Sequence, residues 1–400
     1  MKHSIAPRAL SLALVALLST GAALAQNDGV VLSFSTVGDS RQDPKSPDPT
    51  QLVNGTLSGQ DAHWLQNSKA WSRIMREVSA KKSNLLFFNG DMIMGYGNAG
   101  PVSGTDVNTV VNSDLVKFHT EYAFWRGMVT PLIENGTYVV PVPGNHETQC
   151  NSKNTTCVDD NGVVLSGKKA LKVNEEAWRA NMGDLIVDAT RMNANLPGGL
   201  TVNNVDNADH AGVDGFATPQ NQLSYSFDVG NSHFAVINTD AAGKDATAPS
   251  AWLASDFAAA SGRGAQHFFV FGHKPAYTYD FSGNGGKAGG LDVNLPQRDA
   301  FWNVVEQYGA TYFCGHEHTF NMRQPIKADA QPSTAWQVLV GSGGSPFDVA
   351  QDATNPQPYD RYYAWANVRV FKSGKVQIDA YGFSDAFGPT KLLKSVTLSH

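Results

Sequence analysis

His316 and His318 stand two residues apart, in Gly315-His316-Glu317-His318, directly after the apolar run from Thr311 to Cys314. Just past a strand end, both imidazoles can aim a nitrogen into one cleft, and imidazole suits zinc, iron and related metals. Such a pair alone also fits loop polarity or core packing. Four further apolar runs end the same way, in glycine followed by a ligand type of residue: Gly38-Asp39, Gly90-Asp91, Gly144-Asn145-His146 and Gly272-His273. Each has a bland reading, because Asp after Gly is usually a turn residue. Five together point to a metal site, since sites in α/β-type sheets form beyond the carboxyl ends of strands. Gly315 is expected to provide the sharp turn into the last of them.

The elements that must position these ends read as follows. Val30–Val37, Asn84–Asn89, Tyr138–Pro143, Ala265–Phe271 and Thr311–Cys314 are buried strands. Asp61 caps a helix running to Lys82, with Trp64, Leu65, Trp71, Ile74, Met75 and Val78 on one face. A second helix spans 114–129 and stops at Pro131. Residues 222–229 and 233–238 pair as strands, 251–260 are helical, and Phe301 to Tyr308 lead as a helix into the His316 stretch. Residues 363–371 and 376–381 form a hairpin around Ser373-Gly374. Between them, 150–222 are polar and read as an insertion with one helix, near 174–182. Asp206, Asp209, His210 and Asp214 there read as solvated loop rather than a calcium site.

Residues 1–25 have the form of a cleaved secretory signal: Lys2 and Arg8, an apolar Ala9–Leu18, then Ala23-Leu24-Ala25. The protein is therefore expected in the periplasm or outside the cell, with no membrane span. In an oxidising compartment Cys150 and Cys157 should pair, leaving Cys314 as a small buried residue. The net charge of −6 and the lack of a basic block argue against a grip on a nucleic-acid backbone. Oligomeric state is not legible.

Taken in order, Gly38-Asp39, Gly90-Asp91, Gly144-Asn145-His146-Glu147, Gly272-His273-Lys274-Pro275 and Gly315-His316-Glu317-His318 resemble the calcineurin-like metallophosphoesterase superfamily, which includes the purple acid phosphatases. The resemblance implies an α+β fold, a four-layer αββα sandwich of two mixed β-sheets flanked by helices. It implies one catalytic domain over 26–400, with 150–222 inserted and 331–400 adding the last strands. It also implies two metal ions, Fe, Mn or Zn first, Mg or Ca next. Asp91 would bridge them, Asp39 and His318 would complete one site, and Asn145, His273 and His316 the other. Metal-bound hydroxide would attack a small phosphate ester, a monoester first, a diester as the alternative. A non-catalytic metal-binding surface protein is the reading from another class. His146 would stabilise the transition state or protonate the leaving oxygen, and Glu147 would support it. Two positions depart from the family pattern. Arg41 stands where many members have a ligand histidine, and reaches either the phosphate or Asp39. Met94 stands where purple acid phosphatases have a ligand tyrosine, and Tyr96 lies out of register.

Overall fold

The structure, a computed structural model, describes residues 28–41, 52–53, 56–57, 64–186, 188–196, 199–280, 286–349, 353 and 357–398. The leader-like segment 1–25, the expected cap Asp61 and part of the loop 281–290 lie outside them.

Two mixed sheets pack face to face. The first runs, edge to edge, Lys391–Leu398, Val376–Ser384, Tyr362–Phe371, Val30–Val37, Leu85–Asn89 and Tyr138–Val142. Its last three strands are parallel; Tyr362–Phe371 meets Val30–Val37 antiparallel. The second runs Phe320–Arg323, Trp336–Val340, Thr311–Cys314, His267–Phe271, Ser232–Val236, Tyr225–Val229 and Val202–Asp206. Phe34 joins the layers, with its ring edge-on to Phe87, Phe234, Phe269, Phe271 and Phe313 at 4.9–5.7 Å.

The near-continuous apolar runs follow from burial on both faces. Phe87 points inward and stacks on Phe271, while Phe88 points outward between Trp71 and Trp125. Trp71 and Trp125 belong to helices Trp64–Lys81 and Asp114–Glu134, which cover the first sheet. Helices Ser250–Gly262 and Leu295–Gln307 cover the second, with Phe257 and Trp302 buried against it. The result is the αββα sandwich. Among the described residues no helix is long and apolar enough to cross a membrane.

Several local expectations are corrected. The second long helix runs through Pro131 to Glu134. Proline disturbs only the turn before it; here it sits on the exposed face, and its carbonyl accepts from Asn135 N at 3.2 Å as the helix closes. The polar 150–222 region holds two longer helices, Lys172–Met182 and Ala189–Asn195, and an edge strand of the second sheet. It buries Trp178 and Met182 in the main core. Its start, Gln149–Asn151, pairs with Lys168–Ala170, and Cys150 and Cys157 form a disulfide while Cys314 is buried and free. The Asp206 to Asp214 acids do structural work. Both Asp214 oxygens accept from Ala251 N and Trp252 N, at 2.7 and 3.0 Å, capping a helix whose own N-cap, Pro249, offers no side-chain acceptor. Asp206 accepts from the Trp252 indole at 3.1 Å.

Candidate metal centre

The five strand ends, three from the first sheet and two from the second, come together at the carboxyl ends of their strands. Asp91, His273 and His316 place ligand atoms within 4.8 Å of one another, and so do Asp39, Asp91 and His318. Asn145 joins the first group, with its Oδ1 2.8 Å from both His273 Nε2 and His316 Nδ1. His146 and Arg41 lie alongside. All eight residues singled out in the sequence are therefore together.

The loops that carry them are unusual. Asp39, Arg41, Asp91, Tyr96 and His316 have φ of 62°, 25°, 55°, 57° and 75°. Non-glycine residues pay roughly 1–3 kcal/mol each for such backbone, which persists where the surroundings over-determine it. Here they do: Gly38 N donates to Val340 O, Asp39 N to Gly90 O and Arg41 N to Asp91 O, all at 2.9–3.0 Å. The turn at 315–316 is thus made by His316, not by Gly315 as the sequence suggested. Glycine is needed at 315 because a Cβ there would lie 2.2 Å from Asp39 Oδ2. Gly144 is required likewise, since its Cβ would lie 2.5 Å from Asp91 N and Oδ1.

Backbone amides aim the carboxylates. His316 N donates to both Asp39 oxygens at 3.0–3.1 Å, and His146 N to Asp91 Oδ1 at 3.1 Å. Glu147 is the hub below: its carboxylate accepts from the amides of Asp91, Met92, Ile93 and Gly144 at 2.7–3.2 Å. Burial, then Asp91, pushes its carboxyl up to about 7, yet four amide donors need both oxygens as acceptors.

The histidines share one device. His273 Nδ1 donates to Asn89 O, His316 Nε2 to Gly289 O, His318 Nδ1 to Pro346 O and His146 Nδ1 to Met94 O, at 2.6–3.0 Å. A carbonyl only accepts, so each of these nitrogens carries the hydrogen, and in a neutral ring the other nitrogen turns its lone pair to the cleft. Asn145 is fixed in the same sense, because its Nδ2 donates to the Tyr96 hydroxyl and so presents Oδ1. The consequence is a knot of acceptors. His273 Nε2 lies 3.1 Å from Asp91 Oδ1 and 3.2 Å from His316 Nδ1, besides 2.8 Å from Asn145 Oδ1. Neutral rings leave no hydrogen between these atoms, so the donor set fits a cation. Without one, the field recruits a proton: against the cost of burial, the Asp91 and Asp39 carboxylates hold His273 up to about 10. Burial lifts Asp39 well above the usual carboxyl range; it opposes ionisation of Asp91 too, but His146 and His273 hold Asp91 well below it.

On the other side, Arg41 Nη1 is 3.1 Å from His146 Nε2, Nη2 is 3.4 Å from His318 Nδ1 and Nε donates to Ser345 Oγ at 3.3 Å. His318 Nε2 faces Asp39 Oδ1 at 3.6 Å, and His318 N donates to Asp348 Oδ2 at 2.7 Å. Burial, and Arg41 against the pull of Asp91, keep His146 well below its ordinary value.

Two contributors escaped the sequence reading. Tyr96, out of register as a ligand, holds Asn145 instead and lays its ring against His146, 3.7 Å between centroids. Lys168, from the region read as an insertion, sets its ammonium over the Tyr96 ring, 4.4 Å from the centroid. The glycine run Gly341-Ser-Gly-Gly after Trp336–Val340 marked a sixth strand end of the same type, and it brings Ser345 to Arg41.

A family model for calcineurin-like phosphoesterases matches residues 61–320. Among solved structures, the chain is similar in fold to a purple acid phosphatase from yellow lupin (Lupinus luteus) seeds, with a TM-score of 0.54 and 13% identity over 93% of this chain. It spans 54% of that protein's length, about half. A dimetal phosphatase from Danio rerio aligns over 92% of this chain and 99% of its own, at 11% identity and a TM-score of 0.42, too loosely to carry an argument. No curated protein sequence matches the chain.

Proposed function

The chain belongs to the calcineurin-like phosphoesterase family, and from that membership we propose that it hydrolyses phosphate monoesters at a two-cation centre. Asp91, Asn145, His273 and His316 would hold one ion, and Asp39, Asp91 and His318 the other. The chemistry such ions supply is Lewis acidity toward the phosphoryl oxygens and a water acidic enough to attack near neutral pH.

The rest falls to this chain's own residues. The guanidinium of Arg41 offers forked donors suited to phosphoryl oxygens. His146 takes one of its N–H groups at Nε2 while fixed through Nδ1 to Met94 O. It thus carries no proton on the cleft side, which favours its positioning Arg41 over protonating the leaving oxygen. Lys168 adds a cation at the rim beside Tyr96 and His146. The observation that carries the monoester reading is this surplus of positive groups, Arg41 and Lys168, next to the ligands. A dianionic terminal phosphate gains more from it than a diester monoanion.

The test is hydrolysis by the protein after metal is stripped and Mn, Zn, Fe, Mg or Ca is returned. Metal-free protein should be inactive, and restored protein should favour p-nitrophenyl phosphate over bis-p-nitrophenyl phosphate. The reverse preference would make it a diesterase. No turnover of either ester with any metal, despite metal uptake, would leave a metal-binding surface protein. A location outside the cytoplasm is part of the proposal. Its supports are the leader-like residues 1–25 and the Cys150–Cys157 disulfide, a bond that persists in oxidising compartments. Amino-terminal sequencing of exported protein should begin at Gln26; a retained leader would count against it.

A further inference from the structure

The two ligand groups share Asp91 but differ in donors and in charge. One offers a carboxylate oxygen, an amide oxygen and two imidazole nitrogens, the donors 2.8–3.2 Å apart and each imidazole anchored through its outer nitrogen. The other offers Asp39, Asp91 and His318. Beside this second group lies the buried guanidinium of Arg41, at 3.1 Å from His146, 3.4 Å from His318 and 3.3 Å from Ser345. Arg41 is held there from below as well. Its amide donates to Asp91 O at 2.9 Å and its backbone sits at positive φ, so the guanidinium belongs to the same loop architecture as the ligands.

One divalent ion balances the charge of Asp39 and Asp91. Arg41 then leaves a surplus positive charge, and a second divalent ion would enlarge that surplus inside a buried pocket, where Coulomb repulsion is little screened. We propose that Arg41 is a built-in cation of the Asp39–Asp91–His318 group. The chain holds one divalent ion tightly on Asp91, Asn145, His273 and His316, and a second far more weakly because the guanidinium already takes part of its electrostatic place. The inference rests on the reading of these residues as a metal centre.

The experiment is metal titration of the full protein, stripped with chelator, by calorimetry with Mn²⁺ and by equilibrium dialysis with elemental analysis. Wild type is compared with Arg41→Lys, which keeps the charge, and Arg41→Gln, which removes it. Wild type should take up one tight equivalent and a second about 10²-fold weaker, the size of a close like-charge repulsion at a partly screened site. Arg41→Lys should keep that split, and Arg41→Gln should narrow it by about tenfold or more. Two equivalents of indistinguishable affinity in wild type would overturn the proposal without any variant. So would a split left unchanged in folded Arg41→Gln, which would assign the weakness to donor number alone. If no protein binds metal at all, the metal centre itself fails, an outcome distinct from either of these.

Discussion

His233 and His273 sit toward opposite ends of one pair of parallel strands, Ser232–Val236 and His267–Phe271, each buried among aspartates. His233 lies between two carboxylates, Nδ1 2.6 Å from Asp228 and Nε2 2.7 Å from Asp256. The other lone pairs are met by Ser226 on Asp256, and by Asn204 and Arg263 on Asp228. A proton on each ring nitrogen completes that cluster. At His273 the outer nitrogen is already given to Asn89 O, and the inner one faces Asn145 and Asp91 among further acceptors. Both regions are histidine with aspartate, so residue type does not separate them. The direction of the hydrogens does: one cluster is closed by a proton, the other calls for a larger cation.

The sharpest way to break this contrast is to remove one carboxylate from each. Asp91→Ala should reduce activity to background and lower metal content more than loss of any other single ligand, because Asp91 belongs to both ligand groups. Asp228→Ala should leave metal content at the wild-type level; if elemental analysis shows both variants equally depleted, the clusters do not differ in kind. His233→Ala strips two buried carboxylates of their partner and should cost about 3–5 kcal/mol of stability in a denaturant titration, again with metal uptake intact. Gly315→Ala works in the other direction. Its Cβ would displace the Asp39 carboxylate, and chelator competition on the folded variant should show metal affinity down about 10–100-fold, the usual cost of disturbing a ligand's support.

The mildest effect is in pH. Burial opposes the charge on His233, but its hydrogen bonds to Asp228 and Asp256 raise its pKa above the ordinary value. Folding then stabilises the protonated form. That contribution is full below about pH 6.5 and fades as pH rises through the higher folded value. Melting temperature should fall over that window in wild type and fall less in His233→Gln. A slope that is the same in both would mean the proton is not held there.

The residues gathered at the candidate centre were legible because each motif is local: strand, glycine, donor. Burial on both faces writes apolar runs into the sequence, and the donor must follow where the strand stops. Tyr96 was not legible as the holder of Asn145, since its partner lies 49 residues away and only the folded loops bring them together. Arg41 was ambiguous for the same reason, as its contact Ser345 lies 304 residues on. The 150–222 region misled because its surface is polar: Trp178 and Met182 stand four apart on one face of the helix expected there, but other buried apolar residues, Leu171, Ile186, Met192, Leu196 and Val202, are scattered singly among polar ones. Gly315 misled differently. A glycine near a turn suggests freedom of rotation, and here its value is the absence of a side chain.

The strand Val30–Val37 lies in the middle of the first sheet, flanked by Leu85–Asn89 on one side and by Tyr362–Phe371 on the other. Asp39, at its end, meets a loop 277 residues later. Loop-closure entropy makes such distant pairings late events in folding. A growing chain therefore carries Asp39 long before His316 and His318, and one side of the strand that bears it stays unmatched until Tyr362–Phe371 has emerged. If the centre holds metal as proposed, a chain interrupted before His316 lacks a donor of each ligand group and has no complete site to offer a cation.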